Sequence, residues 1–172
     1  MTMTTSLSPM SEASYERYLA VAIPAYANDN VESGRWDKTD ALERSRAAHE
    51  KLLPDGIDTD KNYLFDIRHN QEDQVVGYIW VCVDDTYHAK TAFIFDLEIF
   101  EEYRRKGFAR SALLNVEDFL KEMDVVSLGL HVFHYNDAAR TLYSELGYDT
   151  VSMNMQKALS KERPGKGLDR DD

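Results

Sequence analysis

Eight consecutive residues, Tyr103-Arg104-Arg105-Lys106-Gly107-Phe108-Ala109-Arg110, combine four cations with a glycine and an alanine. An apolar, strand-like stretch, Phe93 to Phe100, runs into them, and Ala112, Val116, Leu120 and Met123 follow at helical spacing. A strand therefore leads through a short basic turn straight into a helix. The first N–H groups of a helix have no partner within it, and its macrodipole places partial positive charge at that end. Gly107 has no side chain to obstruct a ligand and Ala109 almost none, so a phosphate can rest on those amides. Four cations within eight residues, in a chain of formal net charge −11, strengthen the reading of an anion site. The competing reading is a solvated basic loop ahead of a helix. The pattern is neither a P-loop, Gly-x-x-x-x-Gly-Lys-[Ser/Thr], nor a dinucleotide fingerprint, Gly-x-Gly-x-x-Gly.

A second constellation lies about thirty residues further on, from His131 to Tyr148. Asn136 opens a short helical stretch, where its side chain is suited to capping. Tyr143 comes seven residues later, two helical turns, and so projects from the same side. Gly147 suits a left-handed helix end, and Tyr148 reads as a core aromatic.

Arg104, Gly107 and Ala109 fit [Arg/Gln]-x-x-Gly-x-[Gly/Ala], and Asn136, Ala139, Leu142, Tyr143, Gly147 and Tyr148 fit Asn-x-x-Ala-x-x-Leu-Tyr-x-x-x-Gly-[Phe/Tyr]. In both motifs the chain resembles the GNAT superfamily of acyl-CoA-dependent N-acyltransferases. The resemblance implies an N-acetyltransferase with acetyl-CoA as acyl donor and a primary amine as acceptor, attacking directly in a ternary complex. It implies that Arg104, Arg105, Lys106, Gly107, Phe108, Ala109 and Arg110 hold the pyrophosphate. The pantetheine arm would pair with the backbone of Leu97, Glu98 and Ile99 as an added strand does, and one such N–H would stabilise the oxyanion. The Asn136 side chain would bind the arm, cap its helix, or do both. Tyr143 would be the general acid, since a phenol (pKa near 10) is protonated at neutral pH and can supply a departing thiolate (pKa near 8.5). Its alternative role is packing between helix and sheet.

The general base is less directly marked. The family's carboxylate on the fourth strand would fall at Phe93 or Phe95, both apolar here. His131 matches a fifth-strand position used by other members, and its unperturbed pKa near 6.5 suits the task. A satisfied core histidine, or a water chain fed by Asp96 or Glu98, is the competing account. Tyr26, Trp36, Trp80 and His134 are candidate linings of the acceptor pocket, because aromatic walls hold cations; they serve equally as core. The acceptor is expected to be a small amine. A protein or peptide N-acetyltransferase and a non-catalytic acyl-CoA-binding module are the alternatives, and the intact Tyr143 argues against the last.

These residues require a scaffold. At 172 residues the chain suits one domain, expected over residues 1–159, with a mobile tail over 160–172. A short edge strand is expected at residues 4–8. A helix follows Ser11 with Tyr15, Leu19, Ala22 and Tyr26 on one stripe, kinked or broken near Pro24 and giving way to an irregular stretch at Asn28–Asn30. A second helix, residues 38–53, carries Leu42, Ser45, His49 and Leu52 inward. Strands follow from Tyr63, over Val75–Val83 and over Thr91–Phe100, then a helix over Gly107–Met123, a strand over Val126–Phe133, a helix over Asp137–Leu146 and a last strand over about Val151–Lys157. The order implies an α+β (mixed α/β) fold. Its expected form is GNAT-like, with a central mixed, mostly antiparallel sheet flanked by helices and splayed between its fourth and fifth strands, which are parallel.

Composition narrows the partners. The acidic balance argues against nucleic acid and suits a cationic substrate. No apolar run approaches the roughly 18–20 residues that span a bilayer, and the N-terminus lacks a secretory pattern, so no membrane partner and a cytoplasmic location are expected. Cys82, the single cysteine, reads as a small buried hydrophobe. The five histidines are scattered without ligand spacing, so no metal is expected. A homodimer is common in the family, but no residue here demands one.

Overall fold

A computed structural model describes residues 4–155, 157 and 159. They group into two compact units. One joins the chain up to Ser14 with Ile57–Asp149, and the other joins Tyr15–Gly56 with the residues after Asp149.

The first unit is built on a five-stranded sheet in the order β1-β2-β3-β4-β5, formed by Thr5–Pro9, Asn62–His69, Val75–Asp84, Thr91–Ile99 and Ser127–Leu130. The first three pairings are antiparallel, and β4 with β5 is parallel. This is the expected mixed, mostly antiparallel sheet. The β2–β3 hairpin closes through Asn70–Asp73, where Asp73 adopts φ 50° and the Arg68 guanidinium bonds its carboxylate and carbonyl.

Between β4 and β5 runs α3, Phe108–Glu122; α4, Asp137–Glu145, follows β5. The expected helical stripe of α3 is the buried one: Phe108, Ala112, Leu113, Val116 and Leu120 pack with Phe65, Ile67, Ile79, Val81, Ala92 and Ile94. Each large apolar side chain so buried contributes about 1.5–3 kcal/mol, and this layer is what fixes the start of α3 beside the sheet. The edge strand β1 is strapped to the same helix. Ser111 Oγ accepts from the N–H groups of Thr4 (3.1 Å) and Thr5 (3.0 Å) and from the Thr5 hydroxyl (2.9 Å), while Asn115 Nδ2 donates to Thr5 O at 2.7 Å.

The second unit holds most of α1, Glu12–Glu32, and all of α2, Ala41–Leu52. Ser11 caps α1 as expected, accepting from the Ser14 N–H at 3.1 Å. Several expectations need correction here. Pro24 does not break α1, which continues through Asn28–Asn30 to Glu32. Proline removes one backbone donor, the one facing Ala20 O, and the helix tolerates that loss; nearer its end Asn30 Nδ2 donates to Tyr26 O at 2.8 Å. The buried stripe is Tyr18, Ala22, Ile23, Ala27 and Asn30, whereas Tyr26 is 43% exposed. With alanine and tyrosine on every side, hydrophobic spacing alone does not orient such a helix. In α2, Ala41, Ser45 and His49 are buried, but Leu42 and Leu52 are 50% and 41% exposed. The buried polar pair is satisfied: Ser45 Oγ donates to Ile23 O at 2.7 Å, and His49 Nδ1 lies 2.8 Å from Ser45 O.

Two strand expectations also change. The fifth strand ends at Leu130 instead of Phe133, and no strand forms over Val151–Met155 or at Lys157. Val151, Met153 and Met155 alternate as a strand would, yet are 97%, 74% and 87% exposed. Alternation is insufficient without a neighbouring ladder to satisfy the main chain. The tail expected over 160–172 lies outside the described residues.

Gly77 marks the tightest approach in the sheet. A Cβ there would stand 2.1 Å from Glu98 O and 3.0 Å from Ile99 Cα, both backbone atoms that cannot swing away. Gly77→Ala should therefore lower the unfolding free energy by about 3 kcal/mol, read from urea midpoints. An unchanged midpoint would mean that β3 and β4 are not so closely apposed.

Candidate active site

The β4–β5 ladder is short. Thr91, Ala92, Phe93 and Ile94 pair with Ser127, Leu128, Gly129 and Leu130, and the pairing stops there. Along its other edge β4 stays paired with β3 as far as Ile99, but the register slips: Trp80 pairs with Asp96 and Val81 with Ile94. Phe95 is the extra residue, a β-bulge of the kind that re-aims side chains and ends pairing. From Phe95 to Ile99, no strand of the described residues lies on the β5 side of β4. This is the parting expected between the fourth and fifth strands.

At the end of that open stretch lies the anion loop. After a 3-10 turn, Glu101–Tyr103, the chain passes through Arg105 (φ 60°) and Gly107 (φ 82°), and Gly107 is the N-cap of α3. A left-handed non-glycine residue costs about 1–2 kcal/mol, so the turn at Arg105 must be held by its surroundings. The first bond into α3 is Ser111 N–H to Gly107 O, 3.1 Å. Ahead of it, the N–H groups of Phe108, Ala109 and Arg110 have no backbone acceptor among the described residues. A Cβ at Gly107 would meet nothing within 4 Å. Bare amides above open space, at a helix N-terminus, are what a diphosphate requires, and the residues present fit that group.

The four cations divide in two. Arg104 faces back onto β4, its Nε donating to Ile99 O (2.9 Å) and its Nη2 to Glu98 Oε1 (3.1 Å). Arg110 pairs with Glu145, tying the start of α3 to the end of α4. Lys106 lies 5.5 Å above the Tyr103 ring and donates to Glu102 O. Arg105 and Lys106 are exposed and make no ion pair with a carboxylate among the described residues. Hence two cations build the loop, and two remain as its available charge.

Asn136 is the N-cap of α4, its Oδ1 accepting from the Ala139 N–H at 3.2 Å. Capping uses the oxygen only, leaving the amide hydrogens available for a ligand. Tyr143 is half-buried against the core beside Leu142 and Leu146, its ring 5.6 Å from that of Tyr148. Burial pushes its phenol above the ordinary value, which keeps the proton in place at neutral pH. Its hydroxyl makes no hydrogen bond among the described residues. Gly147 adopts φ 91°, the left-handed helix end expected for it.

His131 is exposed, one residue beyond β5, with Phe133 edge-on at 5.1 Å; it is not a core histidine. The acceptor candidates separate. Tyr26 and Trp36 meet edge-on at 5.4 Å in the second unit, with His49 edge-on to Tyr26 at 5.8 Å. In the first unit Trp80 is buried, stacks on Phe95 at 4.8 Å and donates from Nε1 to Asn62 Oδ1 at 2.8 Å. His134 is exposed beside Tyr135, and its carbonyl accepts from Arg140. Sequence reasoning named Phe95 only as the place of an absent carboxylate, not as the partner of Trp80, and missed Tyr78. The signal for Tyr78 was present, since the alternation of β3 puts it on the same face as Trp80 and Cys82. The Cys82 thiol is pushed up, chiefly by burial, as suits an inert side chain.

One motif follows β4 and the other follows β5, the two strands that part, and comparison decides the lineage. Residues 26–148 match the family described as the acetyltransferase (GNAT) family. The chain belongs to it. Two Bacillus subtilis (strain 168) chains described as uncharacterized N-acetyltransferases, YdgE and YycN, are 32% and 34% identical over 157 residues. That length is 91% of this chain and 99% and 100% of theirs. A crystal structure of YycN superposes with a TM-score of 0.86 at 33% identity, covering 92% of this chain and all of that one. This GNAT protein is thus an acyltransferase of the acetyl-transferring kind, and acetyl-CoA is the family's general donor. No helix among the described residues is long and apolar enough to cross a membrane.

Burial raises the phenols of Tyr78, Tyr143 and Tyr148 above the ordinary tyrosine value. In the unfolded chain they ionise near pH 10, while the folded protein keeps its protons to higher pH. Stability from these groups is therefore fully present below about pH 10 and is lost as the pH rises through the folded values. Urea midpoints between pH 8 and 11.5 should fall above pH 10, with a shallower fall in Tyr143→Phe. A flat profile would mean that the phenols are not sequestered.

Proposed function

We propose that this protein transfers an acetyl group from acetyl-CoA to the primary amine of a small molecule. The observation that carries the reading is the juxtaposition, in one unit, of bare amides at the start of α3 with an unpaired stretch of β4. One offers an anion site and the other an edge to an extended arm.

When bound, acetyl-CoA supplies an acetyl thioester. The amides of Gly107–Arg110 hold its diphosphate, with charge from Arg105 and Lys106. The main chain of Leu97 pairs with the arm, and the Ile99 N–H adds to it, the Ile99 carbonyl being occupied by Arg104; the main chain of Glu98, expected to join them, faces β3 instead, as that of Phe100 does. Asn136 Nδ2, which capping leaves unused, would donate to the arm. Tyr143 holds a proton for the leaving sulfur, in surroundings that disfavour its phenolate. An alkylammonium has a pKa of roughly 10 and must lose a proton before its nitrogen attacks. His131, exposed at the end of β5, takes it. Glu98 is less suited to that step because both of its oxygens already accept hydrogen bonds.

A thermal-shift screen tests the donor. Ligand at about 100 times its Kd contributes about 2.7 kcal/mol, which raises Tm by roughly 5–10 °C in a chain of this size. Acetyl-CoA and CoA should give that shift and NAD none. Absence of a shift with saturating acetyl-CoA would overturn the reading. Thiol release with a panel of amines then identifies the acceptor.

A further inference from the structure

Glu98 is engaged at both oxygens. Oε1 accepts from Arg104 Nη2 at 3.1 Å, and Oε2 accepts from the Tyr78 hydroxyl at 3.4 Å. Tyr78, in β3, is only 3% exposed, but its bond is long, and Arg104 is the carboxylate's closer partner. The backbone of Glu98 is pressed against Gly77 on the same strand. Arg104 is held from two sides, by the Glu98 carboxylate and by the Ile99 carbonyl. Arg104 is also the residue immediately before the left-handed turn at Arg105, and three before that at Gly107. Its guanidinium faces the strand end, so its influence on a bound anion runs through the shape of the loop.

We propose that Glu98 is a positioning residue for the donor site, acting through Arg104 to hold the Arg105–Gly107 turn in the conformation that presents the loop's N–H groups. The inference rests on the donor reading above for its consequence, but not for its structural core. Without the carboxylate, Arg104 keeps one anchor, and the strained turn relaxes toward conformers in which the amides no longer converge. Donor affinity then falls although no contact to the donor has been removed.

The test has two arms. In the unliganded protein, hydrogen exchange of Glu98→Gln should quicken by about 5-fold, the scale of one ion pair near the surface, at Tyr103, Arg104 and Ser111, whose N–H groups bond Phe100 O, Glu101 O and Gly107 O at the two ends of the loop, and not across the sheet. Tyr78→Phe keeps the Glu98–Arg104 pair and should leave exchange of those amides unchanged. Unchanged exchange in Glu98→Gln, or equal quickening in Tyr78→Phe, overturns the proposal. In the second arm, CoA binding is measured by calorimetry. Glu98→Gln and Arg104→Gln should each weaken it by about 5- to 10-fold, and the double variant should bind no worse than Arg104→Gln alone. Multiplying effects would show that Glu98 acts independently of Arg104 and would also overturn it. If the unaltered protein failed to bind CoA, the donor reading would fall while the exchange arm still decided the proposal.

Discussion

The architecture depends on where β4 and β5 separate. Main-chain donors and acceptors inside a protein must be paired, and a strand that loses its neighbour mid-length normally ends or acquires a new one. Here β4 does neither. It pairs with β5 for four residues, takes on an extra residue at Phe95, and continues to Ile99 bonded to β3 alone. The bulge and the early end of β5 at Leu130 create one open edge, and the chain is routed so that α3 begins at its end. The hydrophobic layer of α3 holds this arrangement, because Ala112, Leu113 and Val116 are fully enclosed and cannot slide along the sheet.

Charge is arranged around that opening with economy of position. In a chain of net charge −11, cations placed beside carboxylates are neutralised locally, and this is the fate of Arg104 and Arg110. Their pairing gives the loop shape instead of field. Arg105 and Lys106, at the exposed apex, supply the field. The same division explains why the loop tolerates a left-handed arginine. The residue before it is tethered to β4, and the glycine that follows two places on is conformationally free.

Much of this was legible in the chain. Strand–turn–helix and the asparagine-to-tyrosine spacing are local patterns, enforced by neighbours in sequence, and the structure reproduces them to within a residue or two. The helix face of α3 was equally plain, since its apolar positions recur without ambiguity. What was not legible depended on partners distant in sequence. The extra residue at Phe95 is a relation between two strands and leaves no trace in either alone. The alternating Val151, Met153 and Met155 have the period of a strand but no ladder. Tyr26 fell on the wrong side of α1 because alanines and tyrosines surround that helix. Nor does composition reveal that Arg104 turns inward while Arg105 turns out; that follows from the proximity of Glu98 and Ile99.

If one ligand spans the loop amides and the open edge of β4, both must respond when it binds. The most direct measurement is backbone amide resonances followed through a titration with CoA. Shifts should be concentrated at Gly107–Arg110 and at Phe95–Ile99 together, with adenosine producing neither. Saturable binding of CoA that left both groups of amides unmoved would contradict a spanning ligand.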